Sequence, residues 1–251
     1  TTARFVSRVF LYVMWFAGSF APRQKPGHVV IPQGGKTGNN ATADLMPDGS
    51  YTNDKAMRIL EEQLYHIYNQ GNNGEQVFYT RENYLYFLRK YRHHVSPYCD
   101  TLAYCLMPNH FHFLIYAEKK SVTKIDSGHV CINVVSNGFR LLLSQYTHSL
   151  NKQNSRTGSL FRQKTKAKLL DDSRDYQGLV CLHYIHQNPL RAGLVTKLED
   201  CEFSSFRDFA GLRKGTLSNK SSAKNLLGYE EECFYQESYQ AIDTQFLERL
   251  Y

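Results

Sequence analysis

The stretch Pro108-Asn109-His110-Phe111-His112-Phe113-Leu114-Ile115 decides how the rest of the chain is read. Residues two apart on a strand face the same way, so His110 and His112 emerge on one side while Phe111 and Phe113 enter a core on the other. Pro108-Asn109 is turn chemistry, and residues 102–115 therefore read as two strand segments around Met107-Pro108-Asn109. Working outward, Leu64-Tyr65-His66-Ile67-Tyr68 alternates like a strand and closes on Asn69-Gln70-Gly71-Asn72-Asn73-Gly74. Residues 81–95 place Tyr84, Phe87, Leu88, Tyr91 and Val95 at helical spacing, with Ser96-Pro97 as the stop. Residues 131–151 carry the clearest helical stripe: Ile132, Val135, Phe139, Leu142, Leu143, Tyr146 and Leu150. Residues 160–170 read as extended, and 174–188 as a helix ended by Pro189. Strand, helix, strand, helix, strand, helix predicts an α+β fold: a ferredoxin-like antiparallel sheet with helices packed on it.

Composition sets outer bounds. In 251 residues, 42% hydrophobic and 21% charged, there is material for a sizeable core, which excludes wholesale disorder. No run approaches the roughly 18–20 apolar residues of a membrane span, so no membrane role is expected. The net charge of +7 favours a polyanion as partner, nucleic acid before membrane surface. Eighteen Tyr and fifteen Phe suit base stacking, and equally suit half-buried sheets. None of the six cysteines forms a CxxC pair, which argues against a zinc ribbon and reads as reduced thiols in the cytoplasm. Residues 1–62 read as a poorly ordered N-terminal extension whose Arg4 and Arg8, ahead of a short apolar run, imitate a signal peptide. Residues 63–212 form the main domain. Residues 213–251 read as a polar, then acidic, tail with a short helix beginning near Glu230.

Three constellations could carry chemistry. His110 and His112 side by side can hold a divalent metal if a third ligand joins them, or they are two unrelated histidines on a solvated strand face. Tyr184 and Asn188 lie four apart in Leu182-His183-Tyr184-Ile185-His186-Gln187-Asn188-Pro189, so a helix puts a hydroxyl nucleophile and an oxygen ligand one turn apart. A helical tyrosine can equally be a packing residue. Arg156, Arg162, Lys164, Lys166 and Lys168 follow one another without an acid, and a strand would present the last four on one face as phosphate contacts. A solvated sheet face gives the same pattern. Tyr146 is a rival nucleophile, but its place on an apolar stripe predicts a core hydroxyl.

Taken together, PNHFHFLI at 108–115, RTGSLF at 156–161 and YIHQNPLRAGLV at 184–195 resemble the REP-associated tyrosine transposases. These belong to the HUH (His-hydrophobic-His) single-strand nucleases. YHIYNQGNN at 65–73 resembles the family's first strand, and FSSFRDFAG at 203–211 the segment after its catalytic helix. The resemblance covers about residues 63–212. It implies His110, His112 and Asn188 as metal ligands for Mg²⁺ or Mn²⁺, and Tyr184 as the nucleophile. It also implies single-stranded DNA with a hairpin repeat as substrate, cleaved and rejoined through a 5′-phosphotyrosine, in the cytoplasm and on the nucleoid when bound. Lys164-Thr165 stand where the family has Arg and an aromatic, and Phe203 where many members have Trp; both departures bear on substrate preference. Residues 121–131 look like an inserted surface loop. His183 and His186 flank Tyr184 and read either as proton shuttles or as helix-surface histidines. A binding protein without catalysis, domesticated on the same sheet and basic stripe, is the alternative function. Action within one subunit or across a homodimer is left open by the sequence.

Overall fold

The computed structural model describes residues 57–126, 131–170, 176–242 and 247. The reading of the N-terminal extension falls almost wholly outside them. Its last residues, from Met57, do pack: Ile59 is buried in the core and the Met57 carbonyl accepts from Ser136 Oγ at 2.8 Å.

The main sheet has four strands: β1 (Gln63–Gln70), β2 (Asp100–Met107), β3 (His110–Ala117) and, later in the chain, β6 (Lys166–Leu170). Their spatial order is β2-β3-β1-β6, and each neighbouring pair is antiparallel. Helix α1 (Arg81–His94) links β1 to β2, and α2 (Val134–Gln153) lies between β3 and β6. Two interleaved strand-helix-strand units make the ferredoxin-like arrangement that the element order predicted. A small hairpin, β4 (Lys124–Asp126) with β5 (Cys131–Asn133), precedes α2 where a loop was expected. Asn133 then caps α2, its side chain accepting from Ser136 N at 2.7 Å.

Strand alternation sorts the side chains into two cores. On one face Tyr65, Ile67, Phe111, Phe113 and Ile115 meet α1 and α2. Tyr91 of α1 stacks on Phe113 with centroids 4.0 Å apart, and Phe87 meets Phe78, Phe111 and Tyr146. The helices approach so closely that a Cβ on Gly138 would lie 2.2 Å from the His94 carbonyl oxygen, so only glycine fits there. On the other face Leu64, Leu102, Cys105 and Leu114 meet a third helix, α3 (Gln177–Arg191).

Helix α3 runs through Pro189 instead of ending before it. Proline removes one N–H near the end of the helix, yet Ala192 N still reaches Asn188 O at 2.9 Å and Leu194 N reaches Pro189 O at 2.9 Å. Asn188 is thus inside the last turn, not at the helix end. The extended reading of 160–170 also needs amending, because only 166–170 joins the ladder. Residues 160–162 hydrogen-bond instead to 70–72 beyond the end of β1, and the Asn69 amide ties down the bend between by donating to Arg162 O and Thr165 Oγ1.

Beyond residue 212 the chain is more than a tail. After the short helix α4 (Phe206–Phe209), helices α5 (Lys220–Leu227) and α6 (Glu231–Glu237) close the second core, where Leu227, Tyr229 and Phe234 are buried beside Phe206 of α4. Only α6 overlaps the helix expected near Glu230. Among the described residues no helix is long and apolar enough to cross a membrane, and Cys99, Cys105, Cys181, Cys201 and Cys233 are unpaired thiols.

Candidate active site

Strand β3 delivers both imidazoles, as its alternation required, but to the face covered by α3 and not to open solvent. His112 is buried, 1% exposed, whereas His110, at the start of the strand, is half-buried. Each ring is fixed by one hydrogen bond. His110 Nδ1 lies 2.6 Å from Asn109 Oδ1. An amide oxygen can only accept, so His110 carries its proton on Nδ1 and keeps a lone pair on Nε2. The Asn109 orientation is itself supported, since its Nδ2 donates to Gly74 O at 3.3 Å. The turn bearing Asn109 is clamped by Gly71 N to Asn109 O and by Val77 N and Phe78 N to Pro108 O.

His112 Nδ1 lies 2.9 Å from Nε2 of His66, a fully buried residue of β1. Tyr68 is the register partner of His112, so His66 reaches it along the diagonal of the antiparallel pair. His112 Nε2 is buried and has no hydrogen-bond partner. Burial lowers the His110 pKa to about 4. Burial, reinforced by the His66 and His110 charges, holds His112 well below the ordinary imidazole value. Both rings are therefore neutral near pH 7, the form that ligates metals.

Helix α3 lays Tyr184 over this cluster. Its ring stands edge-on to His66 and His112, with centroids 6.1 and 6.0 Å away, and is 4% exposed. Asn188 follows one turn later on the same stripe, buried, with its Nδ2 unpartnered. An amide that is uncommitted at Nδ2 can turn to present oxygen. Among the described residues no three His, Cys, Asp or Glu side chains converge as a metal-holding group. A third protein ligand would therefore be of another type, and Asn188 is the side chain the sequence offered. By donor type alone, two imidazole nitrogens with an amide oxygen would suit Mn²⁺ better than Mg²⁺.

Beside the histidines opens a cleft of about 320 Å³, lined by Tyr68, Asn69, Gln70, His110, His112, Arg162, Lys164 and Lys166. Lys166 and Lys168 pair with Tyr68 and His66 and so share their face. All four of Arg162, Lys164, Lys166 and Lys168 are exposed. Arg156 stands apart: its guanidinium pairs with Glu75 Oε2 at 2.9 Å. Thr165 receives the Asn69 amide, and Phe203 stacks on Tyr84 at 4.2 Å, so these two departures from the family pattern are accommodated in packing.

Three other sequence candidates lie elsewhere. Tyr146 is 1% exposed and donates to Val77 O at 2.6 Å, a core hydroxyl as its stripe predicted. His183 and His186 are neither surface residues nor neighbours of the Tyr184 ring; α3 turns them into the second core. His186 Nε2 meets Ser205 Oγ at 2.7 Å among Phe206, Phe209 and Phe234. His183 Nδ1 meets Ser238 Oγ at 3.0 Å, and burial lowers its pKa to about 4. The Glu237 carboxylate 4.0 Å away opposes that shift, but burial raises the Glu237 pKa and weakens the opposition.

These buried rings predict an acid limit to stability. The unfolded His183 takes up its proton near pH 6.5, whereas the folded one resists until about pH 4. Its contribution is complete above pH 6.5 and is lost as the pH falls toward 4, by up to roughly 3 kcal/mol. Urea melts at pH 7, 5.5 and 4.5 should show the decline, and His183→Gln should flatten it; an unchanged slope in that variant would count against the assignment.

His66 and Asn109 are the functional candidates that sequence reasoning did not single out. The alternation of residues 64–68 already placed His66 on the polar face, but nothing local gave the strand register that sets it against His112.

The site thus combines an antiparallel sheet with two imidazoles on a central strand, a tyrosine-bearing helix across them and a basic cleft alongside. The chain is similar in sequence to a Haemophilus influenzae protein named "Putative REP-associated tyrosine transposase", 27% identical over 109 residues. That match covers 43% of this chain and 58% of the relative's length. Among solved structures, a REP-associated tyrosine transposase bound to a REP hairpin is 18% identical with a TM-score of 0.45, over 65% of this chain and 92% of that one. No protein-family model matches. The family resemblance carried by the sequence motifs thus recurs in the sequence comparison.

Proposed function

We propose that the chain is a metal-dependent single-stranded DNA nuclease and strand transferase of the REP-associated tyrosine transposase type, acting beside hairpin repeats. The observation that carries this reading is the Tyr184 ring set edge-on against the His66–His112 pair, whose outer nitrogen is buried and uncommitted. Residues His110, His112 and Asn188 would hold Mg²⁺ or Mn²⁺, which supplies polarisation of the scissile phosphate and charge stabilisation when bound.

The remaining work belongs to the chain's own groups. Arg162, Lys164, Lys166 and Lys168 bind backbone phosphates, and Tyr68 offers a ring in the cleft for an unpaired base. Tyr184 Oη attacks phosphorus as it gives up its proton. The Oη–P bond forms, the P–O3′ bond breaks, and the 3′ oxygen leaves as a hydroxyl, so the proton lost by the phenol is matched by the one gained. The phosphotyrosine keeps the ester energy, and attack by another 3′-hydroxyl reverses the step and joins strands without ATP. Such an enzyme works in the cytoplasm, on the nucleoid when bound.

The test is incubation of the protein with 5′- and 3′-labelled single-stranded hairpin DNA and Mn²⁺. A protein–DNA adduct on a denaturing gel that carries the 5′-phosphate side, and that disappears with chelator, is expected. Tight, salt-sensitive binding with no adduct on any hairpin would replace the enzyme with a binding protein.

The lysines of β6 give a separate expectation. Lys166→Ala and Lys168→Ala should each weaken binding to all single strands alike and reduce the slope of log K against log salt by about 0.7. Loss of affinity for one sequence only would mean that these lysines read bases.

A further inference from the structure

Two hydrogen bonds decide whether the paired histidines can ligate at all, and one of them leaves a choice. Asn109 can only accept from His110 Nδ1, so that ring is settled with its Nε2 lone pair free. The contact between His66 Nε2 and His112 Nδ1 at 2.9 Å admits two arrangements. If His66 donates, His112 must carry its own proton on Nε2, where it meets no partner and closes the ligating position. If His112 donates from Nδ1, the buried Nε2 is a bare lone pair able to ligate.

We infer that His66 is a positioning residue that accepts the His112 Nδ1 proton and thereby holds His112 in its ligating tautomer. This inference rests on the function proposed above but adds a residue to it. The first arrangement buries an N–H with no acceptor, whereas the second leaves a lone pair that a cation can satisfy. Asn109 already imposes the same polarity on the neighbouring ring, so both imidazoles then keep a lone pair on Nε2. His66 has no freedom to swing away: it is fully buried, 4.8 Å from the Tyr68 ring and 5.1 Å from the His112 ring, with Tyr184 edge-on above. Ligating histidines commonly donate their second N–H to such an acceptor, which sets ring orientation and raises basicity. Here the acceptor is a third imidazole, supplied by the neighbouring strand β1.

The experiment compares wild type, His66→Phe, which removes the acceptor, and His66→Gln, which keeps one. The first readout is the ¹⁵N signature of His112 in the metal-free protein, assigned by loss in His112→Ala. The second is Mn²⁺ affinity by calorimetry. The inference expects His112 protonated on Nδ1 in wild type and His66→Gln, and a mixture of tautomers in His66→Phe. Mn²⁺ affinity should fall by about 10- to 100-fold in His66→Phe and by much less in His66→Gln. An Nε2-protonated His112 in wild type, or unchanged tautomer and affinity in a folded His66→Phe, would overturn it. Should wild type bind no Mn²⁺, the metal reading falls, while the tautomer measurement still decides the role of His66.

Discussion

Tyr184→Phe is expected to abolish the covalent adduct and strand joining, a loss on the order of 10⁴-fold or more, as when a nucleophile is removed from an intact site. The substitution deletes one oxygen and leaves the ring, so the edge-on packing against His66 and His112 and the burial of α3 are retained. Affinity for hairpin DNA should therefore stay within a few-fold of wild type, because Arg162, Lys164 and Lys166 still line the cleft. Tyr146→Phe is the matched control. That hydroxyl donates to Val77 O inside the first core, so its removal should cost about 1 kcal/mol of stability and leave the adduct intact. An adduct that survives Tyr184→Phe but vanishes with a different tyrosine would remove Tyr184 from the chemistry. The two tyrosines separate because one faces the polar side of the sheet's helix layer and the other the middle of an aromatic cluster.

The core place of Tyr146 was legible before any coordinates. The heptad-like spacing of Phe139, Leu142, Leu143, Tyr146 and Leu150 marked a buried stripe, and α2 buries all but Leu143 of them. The alternation through His110 and His112 likewise fixed which side chains share a face, and strand β3 follows it. Local pattern failed where hydrogen-bond partners, near or far along the chain, decide. Pro189 looked like a stop because its missing N–H is a local fact, whereas the carbonyl bonds that let α3 continue come from Ala192 and Leu194. The basic alternation from Arg162 to Lys168 suggested one strand, but Asn69, nearly a hundred residues away, captures Arg162 O and Thr165 Oγ1 and bends the first half off the ladder. His66 stayed hidden for the same reason: strand register is a tertiary quantity. So did the packing role of residues 202–238, whose polar sequence conceals a few aromatic anchors at Phe206, Tyr229 and Phe234.

The second large effect is expected far from the histidines. Arg213→Leu should lower stability by about 3–5 kcal/mol, because it strands a buried carboxylate. Asp208, 1% exposed at its side chain, is gripped by Arg213 Nε and Nη2 at 2.6 and 2.9 Å. The same guanidinium donates to Glu202 O, Ser204 O and the Tyr104 hydroxyl of β2. These bonds hold 202–205 along the edge of the sheet, where Leu106 N reaches Phe203 O and Ser205 N reaches Tyr104 O. Ser205 Oγ in turn meets His186 on α3, the helix that carries Tyr184. Arg213 therefore stabilises the fold and also anchors one side of the helix that carries Tyr184. A fall in melting temperature of roughly 10 °C is expected, with strand transfer reduced even below the transition. The exposed pair of Arg81 with Glu202 supplies the contrast: at 2.7 Å it is just as short, yet Arg81→Ala should leave the melting temperature almost unchanged. Replacing Arg213 and Asp208 together by leucine should recover part of the loss, since no charge is then left buried. If Arg213→Leu and Arg81→Ala proved equally mild, the latch would be ordinary surface chemistry and α3 would owe its position to apolar packing alone.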